Sequence, residues 1–116
     1  MDGSCICKIR NVYRAVLDFE KELGRLFGLN LNEMMLLCIL SERGEMHPGE
    51  IAGQMGLSNS NASKVISGLE KKGLLSRKLC KQDKRCMTFS LTASARKIIE
   101  NLAACENKMP EFLKSI

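Results

Sequence analysis

Between residues 58 and 92 the spacing of apolar side chains changes period twice, and nothing else in the chain constrains its fold so tightly. In SNSNASKVISGLEKKG, Ala62, Val65, Ile66 and Leu69 recur at i, i+3, i+4 and i+7. That is the spacing of one helix face. Ser58 is placed to cap the start and Gly73 to close the end. In LLSRKLC the period drops to two, with Leu75, Arg77 and Leu79 alternating with Ser76, Lys78 and Cys80. After KQDKR, Met87, Phe89 and Leu91 alternate with Thr88, Ser90 and Thr92. Two alternating runs joined by a short polar loop predict a β-hairpin. From about Thr92, a capping candidate, the helical period returns through Ala95, Ile98, Ile99, Leu102 and Ala103.

Upstream, the helical period repeats three times. Residues 8–27 place Ile9, Val12, Tyr13, Val16, Leu23, Leu26 and Phe27 on one face, widened by Leu17 and Phe19, with Gly28 as the stop. Residues 31–43 form a second helix, for which Asn32 is the expected N-cap and Met35, Leu36, Ile39 and Leu40 the inner face. Met46 and His47 make a short extended piece. Pro48 then suits the first position of a third helix with Ile51, Ala52 and Met55 inward and Gly56 at its close. Near the end, Pro110 breaks the last helix and leaves a tail with Phe112, Leu113 and Ile116. The fold class is therefore mainly α with a small β-hairpin. A length of 116 residues with 45% apolar side chains fits one domain with one core. Trp is absent, so Leu, Ile, Val and Met must fill that core.

Charge is divided unevenly. Residues 1–60 hold six basic and eight acidic side chains, whereas residues 61–116 hold twelve and five. A basic half points to a polyanionic partner, nucleic acid before membrane. No secretory apolar region follows MDGSCICKIR and no long uncharged apolar run occurs, so the expected location is the cytoplasm, with no membrane partner.

The order helix–turn–helix–hairpin assigns these charges a task. The turn MGLS joins a short scaffold helix, 48–55, to a helix whose outer face is short and polar. A helix that enters the major groove needs one apolar face packed on its own domain and one of hydrogen-bonding side chains. Asn59, Ser60, Asn61, Ser63, Lys64 and Ser67 supply the second face and are the candidates for base edges and nearby phosphates. Arg77, Lys81, Lys84 and Arg85 suit backbone and minor-groove contacts. Lys71 and Lys72, at the helix C-terminus, read instead as partners of its dipole.

The stretch from Pro48 to Ile99 resembles the MarR family of winged helix-turn-helix transcription regulators. IAGQMGLS, LEKKGLLSR, the wing DKR and the LT that opens the next helix carry the likeness. The resemblance implies a winged helix-turn-helix lobe over 31–92, flanked by dimerisation helices at 8–27 and 93–116. It implies a homodimer on a pseudo-palindromic double-stranded operator, controlled by a small-molecule effector or an oxidant and commonly a repressor. It also implies that Asp83 orients the wing and pairs with Arg85, which enters the minor groove. Such a regulator is not an enzyme and needs no cofactor. The wide apolar stripe of the first helix is the surplus surface a partner subunit would cover.

Six cysteines remain. Cys80 and Cys86 bracket the hairpin tip, where a disulfide is geometrically allowed but disfavoured in a reducing compartment. Cys5 and Cys7 precede Lys8 and Arg10 at a helix start, a better setting for a reactive thiolate, and are the redox candidates. Cys38 and Cys105 read as small apolar residues. His47 is the sole histidine and no CxxC occurs, so no metal site is assigned. Two rival functions keep the same fold: a winged-helix protein-interaction module without DNA binding, and a thiol-based redox-sensing regulator.

Overall fold

The computed structural model describes residues 3–79 and 87–104, and of Ala104 the backbone alone. The expected tip residues Lys81, Asp83, Lys84 and Arg85, the thiols Cys80, Cys86 and Cys105, and the tail from Pro110 lie outside the described residues. Among the described residues, five helices and one hairpin follow in the order α1 (Gly3–Phe27), α2 (Leu31–Arg43), α3 (Pro48–Met55), α4 (Asn59–Lys71), β1 (Leu75–Leu79), β2 (Met87–Leu91) and α5 (Ala93–Ala104).

The first helix starts five residues before the expected position 8, so Cys5 and Cys7 lie inside its opening turns. Leu23 is its one buried residue. Its N-terminal half leaves Ile6, Ile9, Val12 and Tyr13 exposed to 59%, 64%, 38% and 62%. The apolar stripe thus stands bare along the N-terminal half of α1. The chain then turns through 77° into α2.

The cap of α2 corrects the sequence expectation. Asn30, not Asn32, occupies the N-cap: its Oδ1 accepts the Glu33 backbone N–H at 2.8 Å, and Glu33 Oε1 accepts the Asn30 N–H at 3.0 Å. Asn and Glu three apart form a reciprocal capping box, and only Asn30 has Glu at that spacing. The inner face differs in part as well. Met34, Leu36, Leu37 and Leu40 are buried, while Met35 is 39% exposed and Ile39 is half-buried.

The core gathers Leu23, Leu29, Leu36, Leu37 and Leu40 with Ile51, Ile66, Leu69 and Phe89. Each fully buried aliphatic of this size contributes roughly 1.5–3 kcal/mol relative to exposure. The hairpin is antiparallel, with Leu75 opposite Leu91, Arg77 opposite Phe89 and Leu79 opposite Met87. Those six residues share a face. Along β1 burial falls from Leu75 to the exposed Arg77 and Leu79, while on β2 Phe89 is buried between half-buried Met87 and Leu91. Met46 adds a one-residue bridge to Phe89, with N–H···O distances of 3.1 and 2.9 Å. The middle of β2 is therefore stitched to the segment that leads into α3.

Candidate nucleic-acid interface

Pro48 begins α3, and the His47 N–H donates to Glu50 Oε1 at 3.1 Å. Gly56 ends the helix in the left-handed region, φ 66°. Glycine adopts this conformation without the penalty a Cβ brings. Two residues later Ser58 Oγ accepts the Asn61 N–H at 3.1 Å and opens α4. Ala62, Ile66 and Leu69 anchor α4 by its buried side, at 2%, 4% and 0% exposure.

The opposite side holds the expected contact residues. Asn59, Ser60, Asn61, Ser63, Lys64 and Ser67 are all exposed, and Lys71 extends their stripe. Among the described residues, none of these six side chains pairs with another. No acidic residue lies in the first turn of α4, so the positive end of its dipole is unopposed. Amide, hydroxyl and ammonium groups on one exposed helix face can pair with base edges and accept phosphate.

Arg77 is placed differently from its neighbours on this surface. Its Nη2 and Nε donate to the two carboxylate oxygens of Glu70 at 2.9 and 3.2 Å. The guanidinium lies 5.6 Å from the centre of the Phe89 ring. The hydrogen bond to Glu70, and then its charge, raise the Arg77 pKa from its ordinary value. Arg77 thus braces β1 against α4 through a surface ion pair with Glu70. On the other flank, His47 Nδ1 and the Met87 carbonyl stand 3.1 Å apart, joining the start of α3 to the hairpin.

At its far end α4 meets α5. The Thr92 hydroxyl donates to the Gly73 carbonyl at 2.9 Å and accepts the Ala95 N–H at 3.3 Å. Gly73, φ 74°, makes the left-handed turn that lets the chain leave α4 for the hairpin. The sequence passed over Glu70 as a partner, and it passed over Glu33. The Asn-x-x-Glu spacing of residues 30–33 was the signal for the second. No local pattern announces the first, because its partner lies seven residues on, in a strand.

Two other features stand apart from α4. A surface groove of about 430 Å³ runs along α1 between Lys8, Ile9, Val12, Tyr13 and Val16. Cys5 and Cys7 are exposed near its start. Cys38 is half-buried, and burial, then the Glu42 charge, push its thiol pKa above the ordinary value. Among the described residues, no group of three His, Cys, Asp or Glu side chains could hold a metal, and no single helix is long and apolar enough to cross a membrane.

A scaffold helix, a tight turn, a polar-faced second helix and a hairpin laid beside it define a winged helix-turn-helix domain. The MarR family model matches residues 29–87, and the chain belongs to that family. It is similar to two uncharacterized HTH-type transcriptional regulators of Bacillus subtilis (strain 168). With YpoP it is 32% identical over 107 residues, which is 92% of this chain and 69% of YpoP. With YfiV it is 32% identical over 74 residues, 64% of this chain and 46% of YfiV. Staphylococcus aureus MepR, in a complex with DNA, has the same fold at a TM-score of 0.79 and 21% identity, with 99% of this chain and 84% of MepR covered. The chain spans about half to two thirds of the length of the curated relatives it matches.

Proposed function

We propose that the protein is a sequence-specific, double-stranded-DNA-binding transcriptional regulator. It acts as a homodimer on a pseudo-palindromic operator, and a small ligand or an oxidant sets its affinity. The carrying observation is the division of α4 into a locked apolar side and an exposed polar side from Asn59 to Ser67 that, among the described residues, makes no side-chain pair. MepR, whose fold this chain shares, is seen with DNA, which supports the same use of the fold here. The bare face of α1 supports dimerisation, since Ile6, Ile9 and Tyr13 gain most from a partner that removes them from water. Two copies so joined would present two α4 helices to successive major grooves, roughly 34 Å apart. Repression follows if the operator overlaps a promoter. The exposed Cys5 and Cys7, on the helix that carries the dimer face, are the place where an oxidant would act.

The test is a titration of the protein against duplex DNA from its own genomic neighbourhood, repeated across salt concentrations. Each phosphate contacted should steepen the slope of log K against log salt by about 0.9. A slope of several units is the expected result, reduced by about 0.9 in Lys64→Ala, with affinity lowered and the slope kept in Asn61→Ala. A slope near zero would identify a protein-interaction module instead.

A further inference from the structure

Glu33 is the one buried charged side chain among the described residues, 4% exposed, and it lies away from the polar face of α4. It sits at the elbow between α1 and α2. Its Oε1 accepts the Asn30 N–H at 3.0 Å and the Lys72 ammonium at 2.7 Å. Lys72 caps the C-terminus of α4 and also donates to the Gly28 carbonyl at 2.9 Å. From α1, Glu20 Oε2 accepts the Leu31 N–H at 2.8 Å. Gly68 of α4 makes room for this knot: a Cβ there would stand 2.8 Å from Glu33 Oε2.

Solvated ion pairs hold little in place. This one is half sealed, with the side chain of Glu33 5% exposed and that of Lys72 41%. A buried carboxylate that loses its partners is strongly penalised. The elbow and the end of α4 therefore move together, or Glu33 gives up its hydrogen bonds. We propose that Glu33 and Lys72 are positioning residues for DNA binding, transmitting the attitude of the α1–α2 elbow to the helix that reads the groove. The proposal rests on the DNA-binding function above. Neither residue touches DNA in it. An event on α1, where a partner subunit or an oxidant would act, reaches α4 through this pair.

The test uses the whole chain and four proteins: wild type, E33Q, K72M and K72R. Amide hydrogen exchange reports the coupling directly. K72M, a change on α4, should speed exchange of the Asn30 and Leu31 amides on the elbow by about tenfold. E33Q should do the same for the Lys72 and Gly73 amides. Binding is then measured to a duplex that the wild-type protein has selected from a random-sequence pool, and to unselected duplex. Both variants should lose about tenfold in affinity for the selected duplex. Affinity for unselected duplex and the salt slope should hold, and K72R should restore most of the loss. A purely electrostatic role gives E33Q the opposite sign, because removing an acid tightens binding to a polyanion. E33Q binding as tightly as wild type, or elbow amides unmoved in K72M, overturns the proposal. If the wild type selects no duplex, the DNA-binding function fails separately, and the exchange rates still decide the coupling.

Discussion

Glycine inside a helix is ordinarily a weakness, and Gly68 of α4 is predicted to be an exception. Replacing it with Ala removes backbone entropy from the unfolded chain and should stabilise an exposed helix by about 1 kcal/mol. Here the added Cβ would lie 2.8 Å from Glu33 Oε2, closer than a Cβ and an oxygen can sit. The carboxylate must shift, and its shift strains hydrogen bonds to Asn30 and Lys72. One charge-assisted hydrogen bond contributes roughly 1.5–3 kcal/mol. The share owed to Lys72 is discounted to about 1 kcal/mol or less, since that side chain is more than a third exposed. Loss exceeds gain, and G68A should destabilise the protein by about 1–2 kcal/mol. Urea unfolding at one fixed protomer concentration reads this as a midpoint lowered by about 1 M. Gly24→Ala is the control: Leu29 O, at 4.0 Å, is the closest atom to its Cβ, so its midpoint should rise. A midpoint for G68A equal to or above wild type would refute the packing account of Gly68.

Four further outcomes can be checked. The double variant I9E/Y13E should convert a dimer to a monomer in sedimentation at micromolar protein with helicity retained, and a surviving dimer would move the interface off α1. Arg85→Ala should lower operator affinity, reduce the salt slope by about 1 and leave the fold intact; unchanged affinity at physiological salt counts against it. Arg77→Ala should leave that slope unchanged, because Glu70 already balances the Arg77 charge; a slope reduced as in Arg85→Ala would show Arg77 on phosphate. Alkylation at pH 8 should label the exposed Cys5 and Cys7 before Cys38, whose raised pKa keeps it protonated. The same shift sets a sign. The folded state retains the Cys38 proton longer than the unfolded state, so its stabilising share is whole below about pH 9, the ordinary thiol value, and fades as pH climbs through the raised one.

Much of this fold is legible in residue order because its signals are local. Ser58 and Gly56 act on backbone groups within four residues, as does Thr92 in capping α5, and Pro48 opens α3; the structure places each where such chemistry puts it. The cap of α2 also lay within reach of that local reading, because Asn30 and not Asn32 has Glu three residues on. What no local pattern shows is the second partner of Glu33, Lys72, 39 residues on. The inner face of α2 keeps Leu36 and Leu40 but takes Met34 and Leu37 in place of Met35 and Ile39, because residues 34–40 are all apolar and their period alone leaves the face open. In the candidate site, the polar face of α4 followed from its own period. Arg77 did not, because period two puts it on the hairpin without saying that Glu70 has already claimed it.

These long-range partners concentrate on one end of α4. Past Ser67, Gly68 packs on Glu33, Glu70 holds Arg77, Lys72 reaches Gly28 and Gly73 accepts from Thr92. Before it, Asn59 to Ser67 carry the exposed polar side chains. A helix braced at its C-terminal end and open at its N-terminal end presents its positive dipole and its short polar groups outward together. Base recognition needs side chains whose hydrogen bonds are unspent and a backbone that does not yield when they are made. The two demands conflict within one helical turn. In α4 the proposed reading face and the residues that brace the helix are separated along its length, which meets both demands.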